Sequence, residues 1–187
     1  QYNTAVGTRA LNANTTANFT VAVGYEALKL NTTGVGNVGV GQSALYTNTT
    51  GTNNTAVGYG SLPLNTIGDN NVSVGMNAMA ANTEGLTNTA VGQAALSANT
   101  TGNVNVAIGR LAGDTITTGG GCVLLGALAD SSTVGGNYVN VLGYAVTGDA
   151  GYTTLGESAD DIRAAHGNVT WATVSDQRYK KDIVDST

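Results

Sequence analysis

The chain has almost nothing with which to build a layered globular core. Among 187 residues there is one proline (Pro63), one cysteine (Cys122), one tryptophan (Trp171), one phenylalanine and one histidine (His166). Aromatics make up 5% and charged residues 10%. So few bulky side chains exclude a broad core and leave a thin one of Val, Ala and Leu, repeated along an axis. A lone cysteine excludes an intrachain disulfide and reads as a small buried apolar residue. The net charge of −5 offers no basic footprint for nucleic acid. No apolar run is long enough to span a bilayer, so membrane insertion is not expected. No metal and no cofactor is expected either. No signal peptide opens the chain, and Gln1 falls inside a repeat, which reads as a piece of a longer protein.

What the chain does have is glycine, 27 of them, with asparagine and threonine in excess. The glycines expose an internal period, the first thing to look for in such a sequence. Gly7, Gly24, Gly41, Gly58, Gly75, Gly92, Gly109, Gly126 and Gly143 are each 17 residues apart. Val, Ile or Leu precedes every one of them. Ala-Leu pairs such as Ala27-Leu28 and Ala44-Leu45 follow, then Asn-Thr at 14, 31, 48, 65, 82 and 99, then a second glycine column at 34, 51, 68, 85, 102 and 119. The consensus is N-T-A-V-G-x-x-A-L-x-x-N-T-T-G-x-N.

Each part of the unit has a physical reading. A segment such as Val72-Ser73-Val74 is β-branched with a small residue between, a short strand with period 2. The glycine after it permits a positive φ at a tight corner. The Asn-Thr-Thr-Gly stretch is turn chemistry, with its glycine expected in the left-handed region. Seventeen residues suit one coil of a β-solenoid and are too few for a helical hairpin. At about 4.8 Å per coil, eight periods predict a rod of about 40 Å. A helix is admissible at Tyr25-Leu30 alone. The Val/Ala strand is expected to face inward, and the two variable residues after each glycine to face water. Asn and Thr columns are expected to form side-chain ladders along the axis. That reading outweighs glycosylation at the sequons of Asn14, Asn31, Asn48 and Asn99.

The organisation expected is regular repeats over 1–112, degenerate repeats over 113–156, a closing segment over 157–174 and a distinct terminal motif over 175–187. Ile116 replaces the ladder Asn, Gly119-Gly120-Gly121 crowds a turn, and the step from Gly143 to Gly156 is only 13 residues. Residues 157–187 carry ten of the nineteen charged side chains. His166 reads as structural.

Units such as Asn88-Thr89-Ala90-Val91-Gly92 and Asn105-Val106-Ala107-Ile108-Gly109 resemble the head repeats of YadA-type trimeric autotransporter adhesins. That resemblance implies a left-handed parallel β-roll, a homotrimer about one axis and an adhesive role at a cell surface. The family's usual unit is shorter than 17 residues, so longer turns are implied. The terminal stretch Ser175-Asp176-Gln177-Arg178-Tyr179-Lys180-Lys181-Asp182-Ile183 resembles the S-D-x-R-x-K-x-x-I junction of phage tail fibres and tailspikes that carry an intramolecular chaperone. The resemblance implies self-cleavage between Val174 and Ser175 in the full-length parent, with Ser175 as nucleophile and Lys180 as its partner. A lysine acts as base there when burial lowers its pKa.

The expectation for function is an all-β, homotrimeric fibre adhesin on a virion tail or bacterial cell surface, outside the cell, binding a bacterial surface glycan or other receptor. Tyr138, Tyr144, Tyr152 and Trp171 are its candidate ligand-binding residues, because aromatic rings stack on sugar faces. The alternative is a tailspike depolymerase, for which Asp114, Asp130 and Asp149 are the available carboxylates. Ice binding through the Thr column at 15, 32, 49, 66, 83, 100 and 117 is disfavoured, since those residues lie in a turn.

Overall fold

The computed structural model describes residues 2–157, 160–167 and 172–173. Eight three-residue strands come first: β1 (Thr4–Val6), β2 (Val21–Val23), β3 (Val38–Val40), β4 (Thr55–Val57), β5 (Val72–Val74), β6 (Thr89–Val91), β7 (Val106–Ile108) and β8 (Val123–Leu125). They are followed by β9 (Asp130–Ser131), β10 (Asn140–Tyr144), β11 (Thr147–Gly148), β12 (Tyr152–Glu157), β13 (Asp160–Ala165) and β14 (Ala172–Thr173). The described residues contain no helix. They form a parallel β-solenoid of about nine turns, each strand lying on the equivalent strand one repeat later. Val21 pairs with Val38 and Ala22 with Gly39, a register of 17. The register continues past the regular repeats, with Asn140 on Val123. It then takes up the 13-residue step without slipping, with Gly143 on Gly156. β13 runs antiparallel to β12, β14 runs antiparallel to β13, and the two end the described stack. β9 and β11 pair in a small second sheet.

The corners depend on left-handed backbone, and not only at glycine. In the second coil Gly24 has φ 136°, and Glu26 and Leu28 have φ 57° and 50°. This alternation replaces the helix admitted for Tyr25–Leu30, because helix needs every φ in the right-handed region. A Cβ on Gly24 would stand 2.5 Å from the Gly41 carbonyl oxygen, so the corner has room for glycine alone. The second glycine column differs from expectation. Gly34 is absent from the positive-φ residues; it is glycine because a Cβ would run into the Gly51 carbonyl and stand 2.6 Å from Asn31 Oδ1.

The core is as thin as the composition requires. Ala22, Ala27 and Leu28 fill one coil, Ala44 and Leu45 the next, all fully buried. Where serine replaces alanine in both core columns, Ser61 Oγ lies 2.8 Å from Ser73 Oγ, and Ser73 donates to the Ala78 carbonyl. Cys122 is buried as expected, and its burial pushes the thiol up from its ordinary pKa.

In β2 to β8 only the middle residue is buried, which corrects the expectation that the whole Val/Ala strand faces inward. Period 2 sends both neighbours outward. The outer face of the sheet therefore carries a column of Val6, Val23, Val40, Val57, Val74, Val91, Ile108, Leu125, Leu142 and Leu155, and all ten are partly or fully exposed.

Buried asparagines bind the coils together. Asn48 Nδ2 donates to Asn31 Oδ1 at 2.7 Å and to the Gly51 carbonyl at 2.9 Å. The same pattern joins Asn65 to Asn48, Asn82 to Asn65 and Asn99 to Asn82. A second column runs through Asn37, Asn54, Asn71, Asn88 and Asn105, where each Oδ1 accepts the backbone N–H one coil on. The expected ladders are present. The amides of Asn31, Asn48 and Asn99 are fully buried, which closes these sequons to a glycan in the folded chain.

Each ladder amide donates towards the N-terminal end, so the last carbonyl waits for a donor from the next coil. That coil supplies Ile116, and Asn99 Oδ1 is left buried with no partner. Replacing Ile116 by Asn should extend the ladder. A buried unsatisfied acceptor costs about 1–3 kcal/mol, comparable to the apolar burial lost. Ile116→Asn is therefore expected to stay within about 1 kcal/mol of wild type in chemical denaturation, while Asn65→Leu, which orphans partners on both sides, loses about 2–4 kcal/mol. Equal losses in the two variants would contradict this account of the ladder's end.

Candidate functional site

The regular coils present little chemistry. Their threonine hydroxyls are spent along the rod, as where Thr32 Oγ1 donates to the Thr49 carbonyl at 3.0 Å and Thr49 Oγ1 to the Thr66 carbonyl. Arg9, Glu26 and Lys29 form an ion-paired network across two coils, extended by Tyr46 in a third. Hydrogen bonds from Lys29 and Arg9 hold the Glu26 carboxyl below its ordinary pKa. Such exposed pairs contribute little to stability.

Departures from the repeat concentrate between residues 103 and 166. The first is a groove of about 360 Å³ lined by Asn103, Val104, Gly120, Gly121, Asn137 and Tyr138. Tyr138 is exposed and sits in the left-handed region, φ 55°, held there by its N–H to the Gly120 carbonyl. The second is a pair of carboxyls. Asp130 is partly buried, and its Oδ1 accepts the Ser131 N–H at 2.8 Å. Burial, then a hydrogen bond with Asp114, raises the Asp130 pKa to about 6. The third lies at the end of the stack. Arg163 pairs with Asp149 and lies 5.6 Å from the centre of the Tyr152 ring. His166 is exposed, and its Nε2 stands 3.1 Å from Asn140 Nδ2 and 3.3 Å from Thr153 Oγ1.

The structure does not gather the candidate aromatics into one platform. Tyr138 precedes β10 and Tyr144 ends it, at opposite ends of that strand. Tyr144 is exposed, and Tyr152 is engaged with Arg163. Among the described residues the stacked ring pair is Tyr2 with Phe19, at the other end of the rod. Trp171, Val174, Ser175 and Lys180 lie outside the described residues. Among the described residues no group of three or more His, Cys, Asp or Glu side chains could hold a metal ion. No helix among them is long and apolar enough to cross a membrane. Sequence reasoning missed Asn103 and Asn137, which flank the groove; the signal was the loss of both side chains at Gly120-Gly121.

The carboxyl pair sets a pH dependence. The folded pKa of Asp130 lies above its ordinary value, so the fold favours the protonated form. Its contribution is complete below about pH 4 and is lost as the pH rises through about 6. Melting temperature is expected to fall between pH 4 and pH 7, and Asp130→Asn to reduce that fall. An unchanged difference in the variant would exclude Asp130 as its source.

Comparison with known proteins returns no matching family model, no matching curated protein and no matching solved structure.

Proposed function

We propose that the chain is a segment of a homotrimeric fibre, shaft and tip together, that binds a bacterial surface receptor of glycan type. The fibre belongs on a phage tail or a bacterial cell surface, outside the cell. The observation that carries this reading is the aliphatic column from Val6 to Leu155 on the outer face of the sheet. Ten residues in unbroken register, none polar, make a stripe about 43 Å long at about 4.8 Å per coil. The column beside it, from Thr4 to Thr153, holds only Val, Thr and one Asn. Scattered surface valines need no explanation, whereas a contiguous stripe of this length marks an interaction surface. Three copies about an axis bury it equally and leave the variable residues after each glycine outside. The likeness of the coils to YadA-type head repeats and of residues 175–183 to a chaperone junction supports the same reading. In the full-length parent, Ser175 and Lys180 then release the chaperone by cleavage after Val174.

A tailspike depolymerase is the second reading, favoured by Asp114 and Asp130, where a raised carboxyl beside another is acid–base equipment. One perturbed carboxyl is a narrower observation than an unbroken stripe of ten aliphatic residues, so adhesion is preferred.

Sedimentation should return three times the chain mass of 18.7 kDa. Val91→Asp, a charge in mid-stripe, should shift the protein to monomer while coil register within each chain persists. A folded wild-type monomer would refute the trimer. In the full-length parent, Ser175→Ala should leave one uncut polypeptide by mass spectrometry, and a second fragment beginning at Ser175 should appear only in wild type. Normal cutting in the variant would remove Ser175 from the mechanism.

A further inference from the structure

One coil lacks both side chains at a pair of positions where every other coil has at least one. Gly120 and Gly121 stand where the coil before carries Asn103-Val104 and the coil after carries Asn137-Tyr138. With coils about 4.8 Å apart, the backbones that carry the two walls stand about 9–10 Å apart, and the side chains between them leave a slot. This is the groove of about 360 Å³ described above.

Tyr138 leans into the slot. Its ring atoms Cδ1 and Cε1 lie 2.8 and 2.9 Å from where a Cβ on Gly121 would stand, so any larger residue there would displace the ring. One face of the ring is thus braced on the neighbouring coil, and the residue is still 66% exposed. The walls carry amides held in place by the backbone. Asn137 Oδ1 accepts the Gly120 N–H at 2.8 Å, and its Nδ2 donates to the Gly135 carbonyl at 3.3 Å. Asn103 Oδ1 accepts the Leu86 N–H at 2.7 Å. None of the six lining residues carries a charge at neutral pH.

We propose that this slot is the saccharide subsite of the fibre, and that it takes an uncharged pyranose ring stacked on Tyr138 with its hydroxyls bonded to Asn103 and Asn137. The inference rests on the glycan-receptor reading and narrows it. The C–H face of a pyranose is apolar and flat enough to cover one aromatic ring. Fixed amides discriminate hydroxyl positions, since a donor left unpaired on binding is costly. A carboxylated or phosphorylated sugar would be desolvated here with no cation among the lining residues to pair with it.

The test uses the intact chain, titrated by calorimetry with neutral oligosaccharides (malto-, manno-, galacto- and N-acetylglucosamine oligomers) and with two anionic ones (sialic acid and hyaluronan oligomers). At least one neutral oligomer should bind and the anionic ones should not. Tyr138→Ala should weaken that binding about ten-fold, Tyr138→Phe by no more than about three-fold, and Asn103→Ala by about three- to ten-fold. All three variants should keep the wild-type sedimentation behaviour. The assignment is overturned if no neutral oligomer binds, if an anionic one binds in preference, if Tyr138→Ala binds as wild type does, or if that variant changes the oligomeric state. Binding of the same proteins to bacterial cells separates the two levels. Cells held equally by wild type and Tyr138→Ala would sink the slot and spare the adhesin reading, whereas a wild type that holds no bacterial surface would sink both.

Discussion

The rod depends on residues seventeen apart lying one above another at a spacing of about 4.8 Å. Every other feature is a consequence of that stacking. Backbone groups bond to the next coil in unbroken series, so a coil that shifted by one residue would lose its own bonds and its neighbour's. Side chains must also be tolerated by copies of themselves directly above and below. Asparagine meets the requirement, because its amide is both donor and acceptor and the column satisfies itself along the axis. Glycine meets it where the backbone of the next coil leaves no room for a Cβ, as at Gly24. Charged residues fail it, since like charges would stack; they are few in the regular coils, and Arg9, Glu26 and Lys29 compensate one another.

Stacking also decides what an interruption does. When Ile116 replaces a ladder asparagine, the effect appears one coil earlier, at Asn99 Oδ1. When Gly120-Gly121 replaces a pair of side chains, the space opens between the coils on either side and becomes a slot. In a structure built from one repeated unit, distinctive chemistry appears at the exceptions. The groove, the carboxyl pair of Asp114 and Asp130, and the His166 contacts all belong to the stretch where the repeat loses its consensus.

The same stacking makes the surface strongly directional. A strand of three residues has only one side chain to give the core, so two of three must go outward. Repeated over ten coils, a choice that is trivial in a single strand becomes a long aliphatic stripe. A mixed column would have been soluble by itself. An unmixed one is a continuous apolar surface, and the proposed trimer rests on it.

The sequence by itself determined the solenoid, its period of 17, the parallel stacking and the asparagine ladders, because each follows from one signal repeated in phase. It also determined the burial of Cys122 and the outward setting of the residues after each glycine. Three things were decided only by the tertiary structure. The left-handed backbone at Glu26 and Leu28 is imposed by the corner, and no local preference announces it. The second glycine column was legible as turn residues, but that Gly34 answers to crowding and not to φ required the neighbouring coil. The face of the valines was misread inward, although the alternation of large and small residues in Val72-Ser73-Val74 contained the answer. The interior is so narrow that only the small central residue fits it, and that width is a property of the closed coil which no single segment of the chain contains.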